Sequence, residues 1–454
     1  MESGGWKPFM TSEEVLLSRY IEAQVGGRVM SIERQARWRK AWFVKVEREG
    51  QVVPLYVRGD KQLDAEPYPG LPREAAILQA LEVGGIAVSH VYGVCPEPIG
   101  IVMDQAAGGR DVSQAASDDE RRHIAEQYVE QLARIHALDT APFVAAGITL
   151  PADGRANVLA YLDANLPLYL RGKRQPQPLI EFVMRWARRC APVHRSRSSF
   201  IVADTGQFLF ADGQLTCIHD FEASHIGDPL ADLASLRTRD GYEPIGADIS
   251  HLIRHYARVT GEAIDPWVLS YHTAVFSLTS VMALSGPLSE PDAHRLQTEY
   301  LVWNLMTRRA TLWAMAECLG ITLTPSPAPP ALPGRQAVLF KVLEQSVARL
   351  PAESDMDRSQ REGAVALARW AAQVDASGAA AAERERRSLG QFLPSVPEAW
   401  READAAFEQF VQQAGPEHDE ALLRHFAMQL EDQIAIATPL HERLAGYALK
   451  PVVL

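Results

Sequence analysis

The chain is 454 residues long, 47% hydrophobic and 22% charged. That length suggests about three domains, and the composition excludes both wholesale disorder and a disulfide-scaffolded peptide. Its 45 Lys and Arg against 57 Asp and Glu leave a net charge of −12, which argues against a surface that tracks nucleic-acid phosphates throughout, so nucleic acid is not expected as a partner. The four cysteines, Cys95, Cys190, Cys217 and Cys318, lie far apart, with no Cys-x-x-Cys pair and no histidines at zinc spacing. This usage suits a reducing compartment.

The first residues, MESGGWKPFM, lack the basic-then-apolar order of a signal peptide, so a cytoplasmic location is expected. Further on, AWFVKVE (Ala41 to Glu47) and VVPLYVR (Val52 to Arg58) flank the turn-like REGQ, which predicts a β-hairpin. PREAAILQALEVGG follows, with Pro72 suited to a first helical turn, Ala76, Ile77, Ala80 and Leu81 as an apolar stripe, and Gly84 and Gly85 as a stop. A short amphipathic helix is expected there. The runs VSHVYGVC and PIGIVMDQ predict two further strands of one small antiparallel sheet that closes near Gly109.

From Asp118 the pattern turns helical, and EQYVEQLARIHALD sets Tyr128, Leu132, Ile135 and Leu138 on one face. Between Phe200 and Ile218, FIVAD, GQFLF and QLTCIHD are short β-like runs, the last two separated by the turn former ADG. The apolar stretch Trp267 to Gly286 is long enough to span a bilayer, yet it carries Ser270, His272, Thr273, Ser277, Thr279 and Ser280. A buried helix, and no membrane, is expected. TPSPAPPALPG, Thr324 to Gly334, packs five prolines into eleven residues and reads as an extended linker. After it, Val338 to Leu350, Gly363 to Val374, Ala381 to Phe392, Glu398 to Ala414 and His418 to Thr438 read as helices alone.

The chemistry-bearing stretch is Phe200 to Leu236, where Asp204 and Asp220 each follow an apolar β-like run. A lone carboxylate after a strand is more often a cap or turn residue than a catalyst; the ordered set carries the signal. IHDFEASHIGDPLADLA resembles the hydrophobic-x-Asp-Phe/Trp-Glu and Gly-Asp-Pro-x-x-Asp-Leu signature of the aminoglycoside phosphotransferase and choline kinase family, protein-kinase-like small-molecule kinases. LARIHALD is similar to the helix preceding that family's catalytic loop, and the resemblance extends over about residues 20 to 320.

The resemblance implies an α+β, bilobal protein-kinase-like fold, with a small antiparallel β-sheet lobe and a helical lobe, followed by an all-α helical bundle. Residues 1–109 would be the β-rich nucleotide-binding lobe and 110–323 the mainly helical lobe with the catalytic and metal-binding loops. Residues 324–334 would be the Pro-rich linker, and 335–454 a helical accessory domain resembling a bacterial domain of unknown function. By the same resemblance Asp220 would bind the Mg2+ that bridges nucleotide phosphates, and Asp204 would orient the attacking hydroxyl. Arg58 stands where the family commonly places a phosphate-binding lysine, with Glu74 on the next helix to pair with it. Met103, Asp104 and Gln105 would offer backbone groups to the base of ATP or GTP, while Asp228 and Asp232 would brace loops.

Two departures matter. The usual His-Gly-Asp-x-x-x-x-Asn loop is reduced here to Val202, Ala203, Asp204, Thr205, Gly206, Gln207. Gln207 would then replace the asparagine as second metal ligand; aligned without a gap, Val202 would take the place of the catalytic aspartate. The phosphate-covering loop, SIERQARWRKAWF, contains no glycine, so Arg34, Arg37, Arg39 and Lys40 would have to contact phosphate by side chain. A basic run from Arg171 to Arg197 reads either as a solvated helix face or as attraction for an anionic substrate or nucleic acid.

The function expected is an ATP- or GTP-dependent phosphotransferase acting on the hydroxyl of a small molecule, neutral or anionic. The alternative is a degenerate kinase, a nucleotide-binding scaffold with a partner-binding helical domain. A homodimer is compatible with either.

Overall fold

The computed structural model describes residues 11–35, 39–61, 70–290, 297–325, 327–332 and 334–454. The chain divides into two units. The first comprises Met1–Leu150, Ser198–Pro229 and Ile245–Gly261; the second comprises Pro151–Arg197, Leu230–Pro244 and Glu262–Leu454.

In the first unit, helix α1 (Ser12–Val25) and strand β1 (Arg28–Arg34) precede the predicted hairpin, formed by β2 (Ala41–Arg48) and β3 (Gln51–Gly59). After helix α2 (Leu71–Val83), strands β4 (Val91–Pro96) and β5 (Ile99–Asp104) complete an antiparallel sheet in the order β1-β2-β3-β5-β4. The period-2 alternation of β2 turns Trp42, Val44 and Val46 to one face, where they meet Leu55 and Val57 of β3 and Leu17, Ile21 and Val25 of α1. Helix α1 has no counterpart in the sequence analysis. Its start is nonetheless set locally, by a capping box in which Thr11 and Glu14 each bond the other's backbone amide.

Helix α3 (Asp118–Ala137) begins at Ser117, whose hydroxyl accepts from the Glu120 amide. Acidic residues Asp118, Asp119 and Glu120 occupy its first turn and Arg134 and His136 its last, as the helix dipole favours. Tyr128, Leu132 and Ile135 are buried on one face as the spacing predicts, whereas Leu138 is the C-cap and only half-buried. Strand β6 (Ser199–Ile201) pairs with β9 (His225–Gly227), and β7 (Phe208–Ala211) with β8 (Gln214–Ile218) around the Asp212–Gly213 turn.

The second unit is helical, and residues on both sides of the Pro-rich segment share one hydrophobic core. Helices Gly154–Gly172, Pro178–Arg189, Pro266–Ser289 and Gln297–Leu319 contribute Leu162, Val183, Leu278 and Met315, while Trp400–Gln413 and Asp419–Ala437 contribute Phe407 and Leu430. Pro266–Ser289 is the long apolar helix; 83% of its most hydrophobic window is buried within the protein. Its hydroxyls bond backbone or neighbouring side chains, as Thr273 does to Leu269 at 2.8 Å and Ser277 to Thr238 at 3.2 Å. The helices expected over 363–374 and 381–392 are instead parts of one helix, Asp355–Leu389. Gly378 sits inside it, a cost of about 1 kcal/mol relative to alanine that packing along the helix outweighs.

The basic run is largely neutralised. Lys173 pairs with Glu181 and Glu408, Arg174 with Glu290, Arg188 with Asp163, Arg189 with Asp419, and Arg195 and Arg197 with Glu262. The exposed pairs, such as Arg174–Glu290, contribute little stability, but together with the partly buried ones they offset the local positive charge. The structure therefore favours the solvated-face reading over anion steering.

At the C-terminus, the backbone carbonyl of Lys450 accepts from the 1%-exposed Arg237 guanidinium, which also forms a bidentate pair with Glu317. His425 lies edge-on to Phe392 and Phe407, with ring centroids 5.5 and 4.9 Å away, and its Nδ1 meets the Ser388 hydroxyl at 2.8 Å. Burial pushes its imidazole down to about 4, from an ordinary 6.5.

Between those two values the unfolded chain binds the extra proton and the folded chain does not, so stability falls as pH drops through this window. The full effect is about 3 kcal/mol. Replacing the ring by an apolar side chain, His425→Leu, is expected to flatten that loss, read from urea denaturation at several pH values across the window. An unchanged pH slope would show that other groups govern acid sensitivity.

Candidate active site

Within the first unit, β3 ends with Arg58 and α2 places Glu74 in its first turn. Arg58 Nε meets a Glu74 carboxylate oxygen at 3.0 Å, and its Nη2 donates to Asp220 Oδ1 at 2.6 Å and to Glu222 Oε2 at 3.3 Å. The expected Arg58–Glu74 pair is therefore present and extends to the segment after β8. Burial alone would lower the Arg58 pKa, yet the three carboxylates together hold it above the ordinary arginine value. Glu74, only 4% exposed, is pushed up by burial despite its arginine partner.

Asp220 has a left-handed backbone, φ 73°, a conformation that costs a non-glycine residue free energy and clusters at functional sites. Burial would raise its pKa, but Arg58, His219 and Arg39 outweigh that and hold the carboxyl down at about 2. It is ionised throughout the neutral range. Glu222 is shared by Arg39, by Arg58 and by Lys61, the last at 2.5 Å.

Of the other basic residues in the covering loop, Lys40 pairs with Glu13 at 2.6 Å and Arg34 closes β1. Arg37 lies outside the described residues. Lys61 is a cation at this site that the sequence analysis does not single out, and its position two residues beyond β3 is the only local signal for it.

The shortened loop is organised by α3 and β7. Tyr128 Oη accepts from the Gly206 amide at 2.7 Å, and the Tyr128 ring stacks on Phe208 with centroids 4.9 Å apart. Ala203, φ 72°, turns the chain so that Val202 is fully buried while Asp204 remains partly accessible. Gln207 Nε2 donates to Asp204 Oδ2 at 2.6 Å and to Asp220 Oδ2 at 3.2 Å. Asp204, Gln207 and Asp220 thus converge, and Val202 does not take part. Gln207 presents nitrogen to both carboxylates; to ligate a cation it would have to present its oxygen instead.

These groups border a cavity of about 380 Å³ lined by Tyr56, Arg58, Met103, Ala106, Gln207 and Asp220, among others. The segment beyond β5 lies close to β7: Gly109 and Phe210 exchange backbone hydrogen bonds at 3.1 and 3.0 Å. A Cβ on Gly108, φ 100°, would stand 2.0 Å from the Phe210 carbonyl oxygen. At the segment expected to receive the base, however, the Asp104 amide donates to His90 O and the Gln105 amide to Pro54 O, and Met103 lies in the sheet opposite Tyr56 and Val91. Among the described residues the Ala106 amide has no acceptor. Sequence alone could not show this, because ladder register decides which amides are spent. Asp228 is buried at 1% exposure in this unit, and Asp232 at 0% in the other.

The sequence profile of the phosphotransferase enzyme family matches residues 36–267, just over half of the chain. No curated protein sequence matches it. Among solved structures, a Ralstonia eutropha protein named as a candidate aminoglycoside phosphotransferase superposes with a TM-score of 0.54 at 16% identity, over 68% of this chain and 99% of its own. A macrolide 2′-phosphotransferase from Brachybacterium faecium gives 0.45 at 16% identity, over 63% and 96%. An aminoglycoside phosphotransferase in complex with ADP and hygromycin B gives 0.43 at 14% identity, over 67% and 97%. The first superposition shows the expected kinase-like α+β fold, with the antiparallel sheet early in the chain and helices after it. The profile match covers strands β2 to β5, the Asp204 loop and the Asp220 segment alike: the chain belongs to the phosphotransferase enzyme family.

Proposed function

We propose that the chain is an ATP- or GTP-dependent phosphotransferase whose acceptor is the hydroxyl of a small molecule. The observation that carries this reading is the continuous polar chain Asp204–Gln207–Asp220–Arg58–Glu74, whose last four members line one cavity while Asp204 joins them through Gln207. In the proposed reaction the acceptor oxygen attacks the γ-phosphorus, the bond to the β–γ bridging oxygen breaks, and the nucleoside diphosphate leaves. The acceptor proton passes to Asp204 Oδ. The Ala106 amide is a donor for the base edge, and Arg58, held in place by Glu74, is the cation for the α and β phosphates.

The donor set fits Mg2+. Asp220 stays ionised, Gln207 and Glu222 stand beside it, and magnesium takes one or two carboxylates, leaving its other positions to phosphate and water. No group of three acidic, His or Cys side chains able to hold a metal occurs among the described residues, as such a site would not require. Asp220 and Gln207 would hold the ion, which when bound neutralises charge on the phosphates. Loading nucleotide then requires Arg58 to exchange its bond to Asp220 for one to phosphate.

The alternative, a nucleotide-binding scaffold without transfer, draws on one feature: both Asp220 oxygens are engaged, by Arg58 and by Gln207. The two readings share binding and differ in turnover. Calorimetry with Mg-ATP and Mg-GTP should show binding that Asp220→Asn weakens. Phosphate release in the same samples should fall by about 100- to 10,000-fold in Asp204→Asn, the usual worth of a positioned general base. Binding without any release selects the scaffold; no nucleotide binding at all sinks the proposal.

Arg58 is expected to be structural as well. Arg58→Ala leaves Glu74 buried and uncompensated, at a cost of about 3–5 kcal/mol in urea denaturation, while Arg58→Lys should keep a large part of it. A loss under about 1 kcal/mol, the range of exposed pairs, would show that the pair is not needed for folding.

A further inference from the structure

The second unit contains a cavity of about 260 Å³ whose lining is mostly polar. It is bordered by the start of helix Pro178–Arg189, by Asn304 and Arg308 of Gln297–Leu319, by Asp404 of Trp400–Gln413, and by Gln429 and Gln433 of Asp419–Ala437. Three of its features are charged or partly charged and are not spent within the protein. The Asp404 carboxylate has neither a hydrogen bond nor an ion pair among the described residues, though it shares the cavity with a guanidinium. Among the described residues Arg308 makes one hydrogen bond, from Nη1 to Gln433 Oε1 at 2.7 Å, which leaves most of its five N–H groups unspent there. Helix Pro178–Arg189 has no side-chain cap, and the amides of Leu179 and Ile180, both lining the cavity, have no acceptor among the described residues.

Asp404 and Arg308 are half-buried, so leaving them unpaired costs part of their desolvation. Burial, with Glu385 and Glu408 nearby and against the pull of Arg308, pushes the Asp404 carboxyl up to about 6. Burial likewise lowers Arg308 to about 10, against the pull of Glu385 and Asp404. The surroundings do not relieve either group: Glu385 is taken by Gln429 at 2.5 Å, and Glu408 by Lys173 at 2.9 Å and by the Gln177 amide. A carboxylate and a guanidinium that face one small space without pairing to each other match a ligand that carries both complementary charges.

We propose that this cavity binds a small zwitterion, an amino acid or a compound of that size with one primary amine and one carboxylate. The ammonium sits on Asp404, and the carboxylate is received by Arg308 and the uncapped amides of Leu179 and Ile180. The amide side chains of Asn304, Gln429 and Gln433 supply hydrogen bonds to a polar substituent. The cavity is a second ligand site, built from the helices that lie on either side of the Pro-rich segment.

The test uses the full chain, with L-glutamine, L-serine and L-lysine as separate probes, and n-butylamine and butyrate as controls that carry one charge each. Saturation-transfer NMR and calorimetry should show binding of at least one amino acid, weaker for both controls. Asp404→Asn, which is isosteric, should weaken that binding about tenfold or more, the worth of one charge-assisted hydrogen bond, and Arg308→Gln should do the same. Without ligand, Asp404→Asn should melt no lower than the wild type, since it removes an uncompensated charge, so lost binding cannot be blamed on unfolding. No transfer to any of the three amino acids overturns the proposal, as does binding that Asp404→Asn leaves unchanged or butylamine alone reproduces.

Discussion

The first unit depends on one buried cation. Arg58 leaves the end of β3 and gathers Glu74 from α2 with Asp220 and Glu222 from the segment after β8. Remove the guanidinium and three carboxylates face one another in a region largely withdrawn from water, where their repulsion is poorly screened. Under the proposed function the same bond sets where a phosphate is received. An arginine here, in place of the lysine common in related kinases, can hold Glu74 through Nε and still reach Asp220 and Glu222 through Nη2.

The shortened catalytic loop becomes intelligible on the same terms. A loop that keeps the family's spacing places its asparagine five positions after the aspartate; here the longer Gln207 side chain reaches both Asp204 and Asp220 from three positions after Asp204. The deletion is absorbed by left-handed backbone at Ala203 and at Gly206, and by Tyr128, which takes the Gly206 amide. Loop length and side-chain length have changed together, so the convergence of Asp204 and Asp220 survives a pattern that looks broken in one dimension.

The second unit rests on a different force. Its core is a continuous apolar cluster from helices early and late in the chain, reinforced where the Lys450 carbonyl reaches the buried Arg237. Burial on that scale supplies a driving force with little directional demand. This allows a few polar groups, among them Asp404, Arg308 and His425, to be carried inside at a cost the apolar contacts offset.

Local pattern determined what depends on neighbours in sequence. Period-2 alternation and the turn at Glu49–Gly50 specify the β2–β3 hairpin, the Ser117 cap and the stripe through Tyr128 specify α3, and the Asp-Phe-Glu and Gly-Asp-Pro signature marks Asp220. What required tertiary structure is every property set by long-range pairing. Sheet register spends the Asp104 and Gln105 amides and leaves that of Ala106; distant carboxylates neutralise the basic run; and helix packing overrides Gly378. Charge and hydrogen-bond capacity are written residue by residue. Which donors and acceptors meet, and which are left over to meet a ligand, is decided only when segments more than a hundred residues apart are brought within 3 Å, as Arg58 and Asp220 are at 2.6 Å.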